Sequence, residues 1–433
     1  MMLHELDATS LHQLLLSKEI EPRDIIKDYI THIKKVEVDI QAWEYFDEDL
    51  IYKQLQSLDR YKNEPLYGIP VGIKDIFNTV DMPTQMGSPL WKDFTPGNDA
   101  RVIHYIKESG GIILGKTVTA EFAVHHQTKT RNPHDLQRSP GTSSSGSAAA
   151  VASFMAPIAL GSQTAGSIGR PASYCGVYGF KPTFGTIARI GVLKTTDTLD
   201  NIGFLTRSVD DLELVFDVTR SKGENYEYVH KYIDAPSSNP KKYKVAIVEH
   251  PKSHLTDSIT KEKFEKWCKK LHLPSIELEY ISLPTKFENI YDYHQTIYDK
   301  SLSYYFKDEY NNKKLISPVM NKIISNGLKI DADFYHNRVQ KQAQLTHEMN
   351  EYFKDYDILI TPTTANVAPI GLASELDLPD SNLIWTFLGM PTISAPLLEG
   401  RDNMPQGILF VAKKYDDNKL LQFLKDLKQT QIL

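Results

Sequence analysis

Cysteine is nearly absent from this chain: Cys175 and Cys268 are the only two in 433 residues. That excludes a disulfide scaffold and fits a reducing compartment, and neither cysteine lies in a zinc-binding spacing. Long apolar runs are missing as well. No uncharged stretch could span a bilayer, and the N-terminal "MMLHELDATSLHQLLLSKEI" has no basic segment ahead of an apolar one. A cytoplasmic protein with no membrane partner is expected. Positive charge is not in excess either, since a formal net charge of -6 gives no electrostatic reason to expect a nucleic-acid partner. What is present, 41% hydrophobic and 24% charged residues with 10% aromatics, is the composition of a soluble globular protein. The length allows two or three average domains or one large α/β domain. No repeat and no convincing boundary divides the chain, so a single domain over 1–433 is the expectation.

Hydrophobic periodicity orders the elements. Leu11, Leu14 and Leu15 share a helical face behind a Thr9/Ser10 cap, and Ile25, Ile26, Tyr29, Ile30 and Ile33 form a second stripe opened by Pro22. "PLYGIPVGIKDIF" reads as a strand with Val71 and Ile73 on one face and Gly72, Lys74 and Ile76 on the other. A helix "DARVIHYIKESGG" and a strand "IILGK" follow, the alternation of an α/β sheet. Residues 110–117, "GGIILGKT", satisfy G-x-x-x-x-G-K-[ST], yet a helix precedes them and the loop positions are Ile112, Ile113 and Leu114. A helix-ending glycine before a buried strand explains that stretch better than a phosphate loop. Beyond a loop at 235–242 the pattern gives a strand "YKVAIVE" and a Tyr-rich helix in 286–306. "YDILITPTTANVAPI", "MPTISAPL" and "GILFVAKK" return to strand and loop, so the sheet should draw strands from both chain ends.

Two stretches carry chemistry. In "RSPGTSSSGSAAAVASF", residues 138–154, five serines precede a run of alanines, with Ser145 or Ser147 a natural N-cap. An ordered loop leading into a helix is expected rather than a linker. In "LGSQTAGSIGRPASYCG", Ser167 falls on a tight turn ahead of a short helix that contains Pro171 and ends at Gly176. A serine nucleophile needs a base. Lys74 in its apolar strand would be held neutral by desolvation, a hydroxyl of the serine cluster could relay the proton, and consecutive amides of the "TAGS" turn could receive an oxyanion. Singly, each feature has a bland reading: a solvated edge lysine, a loop, a turn.

In order along the chain, "GIPVGIKDIF", "GKTVTAEFA", "TRNPHDLQRSPGTSSSGSAAAVA", "LGSQTAGSIGRPASYCGVYGFKPTFG" and "LDNIGFLTRSVDDL" resemble the core blocks of the amidase signature family, and "YDILITPTT" with "GMPTISAPL…MPQGILFVAKKYDD" resembles its C-terminal blocks. The resemblance covers nearly the whole chain. Its core is 66–219, and 220–340 is a variable, helical part that covers the substrate. It implies an α/β fold with a large mixed β-sheet sandwiched between helices. It also implies a catalytic triad of Lys74, a bridging Ser143 preceded by a cis peptide, and an acylated Ser167, the two serines being twenty-four residues apart as in the family. The backbone amides of Thr164, Ala165, Gly166 and Ser167 would form the oxyanion hole. Ser144, Ser145 and Ser147 would order the loop and cap the helix. Three positions depart from the family pattern: Thr142 stands for a glycine, Gln163 for an aspartate and Gly169 for an arginine, with Arg170 following. With Thr142 present, the cis peptide is expected to survive with the threonine side chain held by neighbours.

An amidohydrolase acting on a small-molecule amide, without metal or organic cofactor, is the leading expectation, with association into a homodimer left open. The alternative is the A subunit of a glutamyl/aspartyl-tRNA amidotransferase, releasing ammonia from glutamine; Gln163 in place of the aspartate counts against it. Nucleotide binding at 110–117 and a non-catalytic scaffold rank lower. His125, His126 and His134 lie near the serine loop without H-x-x-x-H spacing or a third ligand, and are expected to be structural or substrate-lining. Tyr298, Trp385 and Phe387 are the candidates for lining the acyl pocket, and ordinary core packing serves each equally well.

Overall fold

The computed structural model describes residues 2–233, 242–372 and 379–433. Eleven strands form one sheet: β1 (Trp43–Phe46), β2 (Pro70–Lys74), β3 (Ile112–Thr117), β4 (Ile158–Gln163), β5 (Tyr178–Lys181), β6 (Asn201–Thr206), β7 (Tyr243–Glu249), β8 (Ile276–Ser282), β9 (Ile358–Pro362), β10 (Thr392–Glu399) and β11 (Pro405–Ala412). Their order is β1-β3-β2-β4-β6-β5-β10-β11-β9-β7-β8, with parallel and antiparallel pairs mixed. β2 runs parallel to both β3 and β4, whereas β4–β6, β10–β11 and β11–β9 are antiparallel. The chain's two halves meet where β5 pairs with β10.

Period-two alternation shows how the sheet is covered. Ile408 and Phe410 of β11 join one apolar core while Leu409 and Val411 join another, and β9 divides Ile358 and Ile360 from Leu359 in the same way. A sheet with apolar residues on both faces must be covered on both, and helices do this. Val71 and Ile73 pack into the first core, which leaves Lys74 facing the other side of β2. Because Val71 to Ile73 lie opposite Ile158 to Leu160 in parallel register, the carboxyl ends of β2 and β4 lie side by side. That is where open α/β sheets hold their ligands.

Some local expectations change. The first helix is Ala8–Leu16 with Asp7 as its cap, the carboxylate accepting from Ser10 N, rather than Thr9 or Ser10. The loop expected at 235–242 falls almost wholly on 234–241, outside the described residues. Gly110, φ +81°, follows the helix Arg101–Glu108, and a side chain there would meet Tyr67 Cα at 2.7 Å. The following Ile112–Thr117 is the fully buried β3. Its Lys116 is committed to Asp75 at 3.0 Å, so this stretch is not a phosphate loop. Among the described residues no helix is long and apolar enough to cross a membrane.

Candidate active site

Lys74 ends β2 fully buried, and its Nζ lies 2.5 Å from Ser143 Oγ, 2.8 Å from Ser162 Oγ and 3.1 Å from Ser144 Oγ. Among the described residues, three hydroxyls and no carboxylate lie within hydrogen-bond reach of the amine. Burial therefore pushes the lysine well below its ordinary range, opposed only by the charge of Asp200. The Asp200 carboxylate is itself spent on Thr195, Thr196 and Thr164. A neutral amine has two N–H donors and one lone pair, so one of the three hydroxyls must donate to it. Ser144 gives its proton to the Ser162 carbonyl at 3.2 Å, which leaves Ser143 and Ser162 as the hydroxyls able to donate to Nζ.

The serine loop is ordered by such contacts rather than by capping. The helix Ser145–Ala152 begins after Ser144, and no side chain caps it. Ser147 Oγ donates instead to Leu160 O at 2.8 Å and lies 2.7 Å from Thr117 Oγ1, while Ser145 Oγ meets Thr128 Oγ1 at 3.0 Å. Both hydroxyls are held by tertiary partners and not by the helix's own amides.

Ser143 reaches the lysine by a different backbone route from the one expected. No peptide bond among the described residues is cis, the Thr142–Ser143 bond included, and Ser143 has φ +64°. A left-handed residue costs roughly 1–2 kcal/mol and a cis bond before a non-proline residue roughly 3–4 kcal/mol. With a β-branched side chain where glycine would relieve crowding, the left-handed turn is the less costly way to aim the hydroxyl. The Thr142 side chain is held, its Oγ1 lying 3.0 Å from His125 Nδ1.

Ser167 sits partly exposed between β4 and the helix Gly169–Cys175. Its Oγ hydrogen-bonds to neither Ser143 nor Lys74 among the described residues, so the structure joins Lys74 to Ser143 and leaves Ser167 unlinked to either. Catalytic hydrogen bonds are often slack without substrate and tighten once it binds.

The departures at 163 and 169 have physical accounts. Gln163, fully buried, accepts from Ile168 N at 2.8 Å and Gly169 N at 3.0 Å through Oε1, and donates from Nε2 to Thr386 Oγ1 at 2.9 Å. It spans the nucleophile turn from below. A Cβ at Gly169 would lie 2.0 Å from Asn382 Oδ1, so the Asn382 side chain fills the space that an arginine would take. Arg170 turns to Asp380 instead, Nε to Oδ2 at 2.9 Å, both buried. The amides of Thr164, Ala165, Gly166 and Ser167 donate to no group among the described residues.

The proposed pocket residues separate. Trp385 and Phe387, on the helix Asn382–Phe387, are fully buried in an apolar core and present no surface to a ligand. Tyr298 is partly exposed, its ring stacked 5.8 Å from that of His294, and His294 contacts the nucleophile turn at Thr164 O, 2.8 Å. A narrow cavity beside the turn is lined by Ile76, Ser162, Thr164, Arg189, Thr195 and Asp200 among others. His134 donates to Cys175 O at 2.9 Å, and no His, Cys, Asp and Glu group among the described residues could hold a metal. Ser162 lies inside the quoted "LGSQTAGSIGRPASYCG" and Asp200 inside "LDNIGFLTRSVDDL", but neither was singled out there, and His294 and Thr386 had no mark in the sequence.

Comparison with known proteins gives the family and the fold. The amidase family model matches residues 24–421. The chain is 32% identical to the A subunit of glutamyl-tRNA(Gln) amidotransferase from Sulfurihydrogenibium sp. (strain YO3AOP1), over 95% of this chain and 94% of the relative. Among solved structures it is similar to the A subunit of glutamyl-tRNA(Gln) amidotransferase from Thermotoga maritima, at 25% identity and a TM-score of 0.77, covering 97% of this chain and 93% of that one. It also shares the fold of 6-aminohexanoate cyclic dimer hydrolase, with a TM-score of 0.85 at 23% identity over 97% of this chain and 95% of that one. With the family model spanning both the serine loop and the nucleophile turn, the chain belongs to the amidase family of hydrolases acting on carbon–nitrogen bonds.

Proposed function

We propose that this chain hydrolyses a small-molecule carboxamide, with Ser167 as nucleophile, Ser143 as proton relay and Lys74 as base. The observation that carries the reading is the buried Lys74 amine, held on Ser143 at 2.5 Å with no carboxylate bonded to it, so that burial outweighs the Asp200 charge. Ser167 Oγ adds to the amide carbonyl carbon while its proton passes through Ser143 to Lys74 Nζ. The carbonyl oxygen becomes negative against the amides of the Thr164–Ser167 turn, those of Thr164, Ala165, Gly166 and Ser167. Collapse breaks the C–N bond, and the proton returns from Lys74 through Ser143 to the leaving amine. Water then attacks the acyl-serine by the same path, releasing the acid and restoring Ser167. Base, relay and oxyanion donors all come from the chain, so the scheme uses no metal or organic cofactor. A Ser-Lys pairing is a known variant of triad logic.

The experiment is a panel of simple amides assayed with the purified chain, beside Ser167→Ala and a fluorophosphonate probe located by peptide mass spectrometry. Labelling at Ser144 or Ser145 in place of Ser167 would refute the scheme. A second reading, the ammonia-releasing component of a tRNA amidotransferase, is favoured by the 30–32% identity to curated proteins of that name across nearly their whole length. It predicts poor turnover of simple amides by the chain alone, with glutamine the preferred substrate once its partner proteins are added.

A further inference from the structure

Three successive peptide groups of the nucleophile turn are held by their carbonyl oxygens. Thr164 O accepts from His294 Nε2 at 2.8 Å, Ala165 O from Thr386 Oγ1 at 2.7 Å, and Gly166 O from Arg170 N at 2.9 Å. In a trans peptide the N–H points opposite to the C=O. Each bond therefore turns the next amide, those of Ala165, Gly166 and Ser167, away from the group that grips its carbonyl. These amides donate to nothing among the described residues. The Arg170 bond belongs to the start of its helix, and Thr386, which accepts from Gln163 Nε2, shares its one proton between Ala165 O and Asn382 O. His294 alone of the three comes from the helix Ile290–Tyr305, within the part of the chain set apart as variable.

We propose that His294 is a positioning residue for the oxyanion site: its Nε2–H fixes the Thr164–Ala165 peptide so that Ala165 N–H faces the oxygen that becomes negative as Ser167 attacks. This rests on the reading of Ser167 as nucleophile. A carbonyl can only accept, so the histidine carries its proton on Nε2, and Nδ1 is left buried without a partner. Burial pushes the ring down to about 4, so a neutral donor of fixed tautomer persists through the ordinary working range. The stacked Tyr298 ring restrains its orientation. Donation to a carbonyl also polarises the peptide and strengthens its N–H as a donor.

A fluorophosphonate tests this without knowledge of the substrate. Ser167 Oγ bonds to phosphorus, fluoride leaves, the seryl proton goes to the Ser143/Lys74 pair, and the phosphoryl oxygen takes the oxyanion's place. Inactivation rates and thermal midpoints are measured for the wild type, H294L, H294Q and H294N. H294L should react about 10-fold or more slowly, with the probe concentration for half-maximal rate and the thermal midpoint nearly unchanged. H294Q, whose amide nitrogen reaches the place of Nε2, should recover most of the rate. H294L reacting as fast as the wild type, or H294Q as slow as H294L at equal midpoint, overturns the proposal. If H294L does not fold, H294Q against the shorter H294N decides, and equal rates overturn it. A wild type that is not labelled at Ser167 overturns the reading of the site and this inference with it, whereas a labelled wild type with indifferent variants removes the inference alone.

Discussion

A lysine amine hydrogen-bonded only to Ser143, Ser144 and Ser162, with the Asp200 charge too weak to offset its burial, sets two expectations at the scale of single residues. On the proposed scheme the working form is neutral Lys74, so activity should rise with pH as the amine, its pKa lowered by burial, loses its proton. A pH–rate profile governed by a group near 6.5 would instead indicate a histidine base. Ser167→Ala and Lys74→Ala should each lower turnover by roughly 10^4-fold or more, since nucleophile and base act as a unit. Ser143→Ala should cost roughly 100-fold or more. Stability should respond too. Folding strips a proton that the unfolded chain keeps up to its ordinary pKa, so between the folded and unfolded pKa values the unfolded state binds more protons and stability falls as pH falls. Lys74→Met removes that burden. Its stability advantage over the wild type in urea unfolding should widen toward lower pH, and a gap independent of pH would show that the amine stays charged in the fold.

At the scale of elements, the nucleophile turn depends on a residue that departs from the family pattern. Gln163→Leu leaves the buried amides of Ile168 and Gly169 without their acceptor, at about 1–3 kcal/mol for each. Urea unfolding should show the loss and labelling of Ser167 should slow; an unchanged unfolding midpoint would mean that the turn holds itself. Elements of this kind were readable in the sequence where the signal was local. Lys74 stood out as a charge in an apolar strand, Pro171 and Gly176 bracketed a short helix, and the alternation of β2 gave its two faces. The partners that finish the site were not readable. Ser162 lies 88 residues from Lys74, His294 is 130 from Thr164, and Thr386 is 221 from Ala165. No window along the chain brings them together. The same limit misplaced Ser147 as a cap, since its acceptor Leu160 O belongs to another element. It also left Trp385 and Phe387 undecided, because a large apolar ring has the same sequence signature in a core as in a pocket.

For the whole molecule, the sheet joins strands from both halves of the chain, but the N-terminal helix contributes no strand and is fastened by charge. Asp211, fully buried in the helix Val209–Thr219, accepts from Ala8 N at 2.9 Å and from Thr9 N and Thr9 Oγ1, each at 2.8 Å. Arg207 adds donation to Leu6 O at 2.5 Å and His4 O at 3.0 Å. Ala8 and Leu11 then complete the same apolar core that lies under Val71 and Ile73 of β2. Two charged side chains more than 200 residues away in sequence thus decide whether the first helix docks. Asp211→Ala leaves two amides at the start of the helix Ala8–Leu16 without their acceptor, and a short isolated helix is marginal in water. The expected outcome is rapid proteolysis within the first 20 residues while the remainder resists and Ser167 still takes up the fluorophosphonate, because the bonds around Lys74, Ser143 and the nucleophile turn include none to that helix. Asp211→Asn, which retains one acceptor oxygen, should fall between. If Asp211→Ala resists protease as the wild type does, apolar contact alone docks the helix; if it loses labelling in step with cleavage, the N-terminal helix supports the site through the shared core.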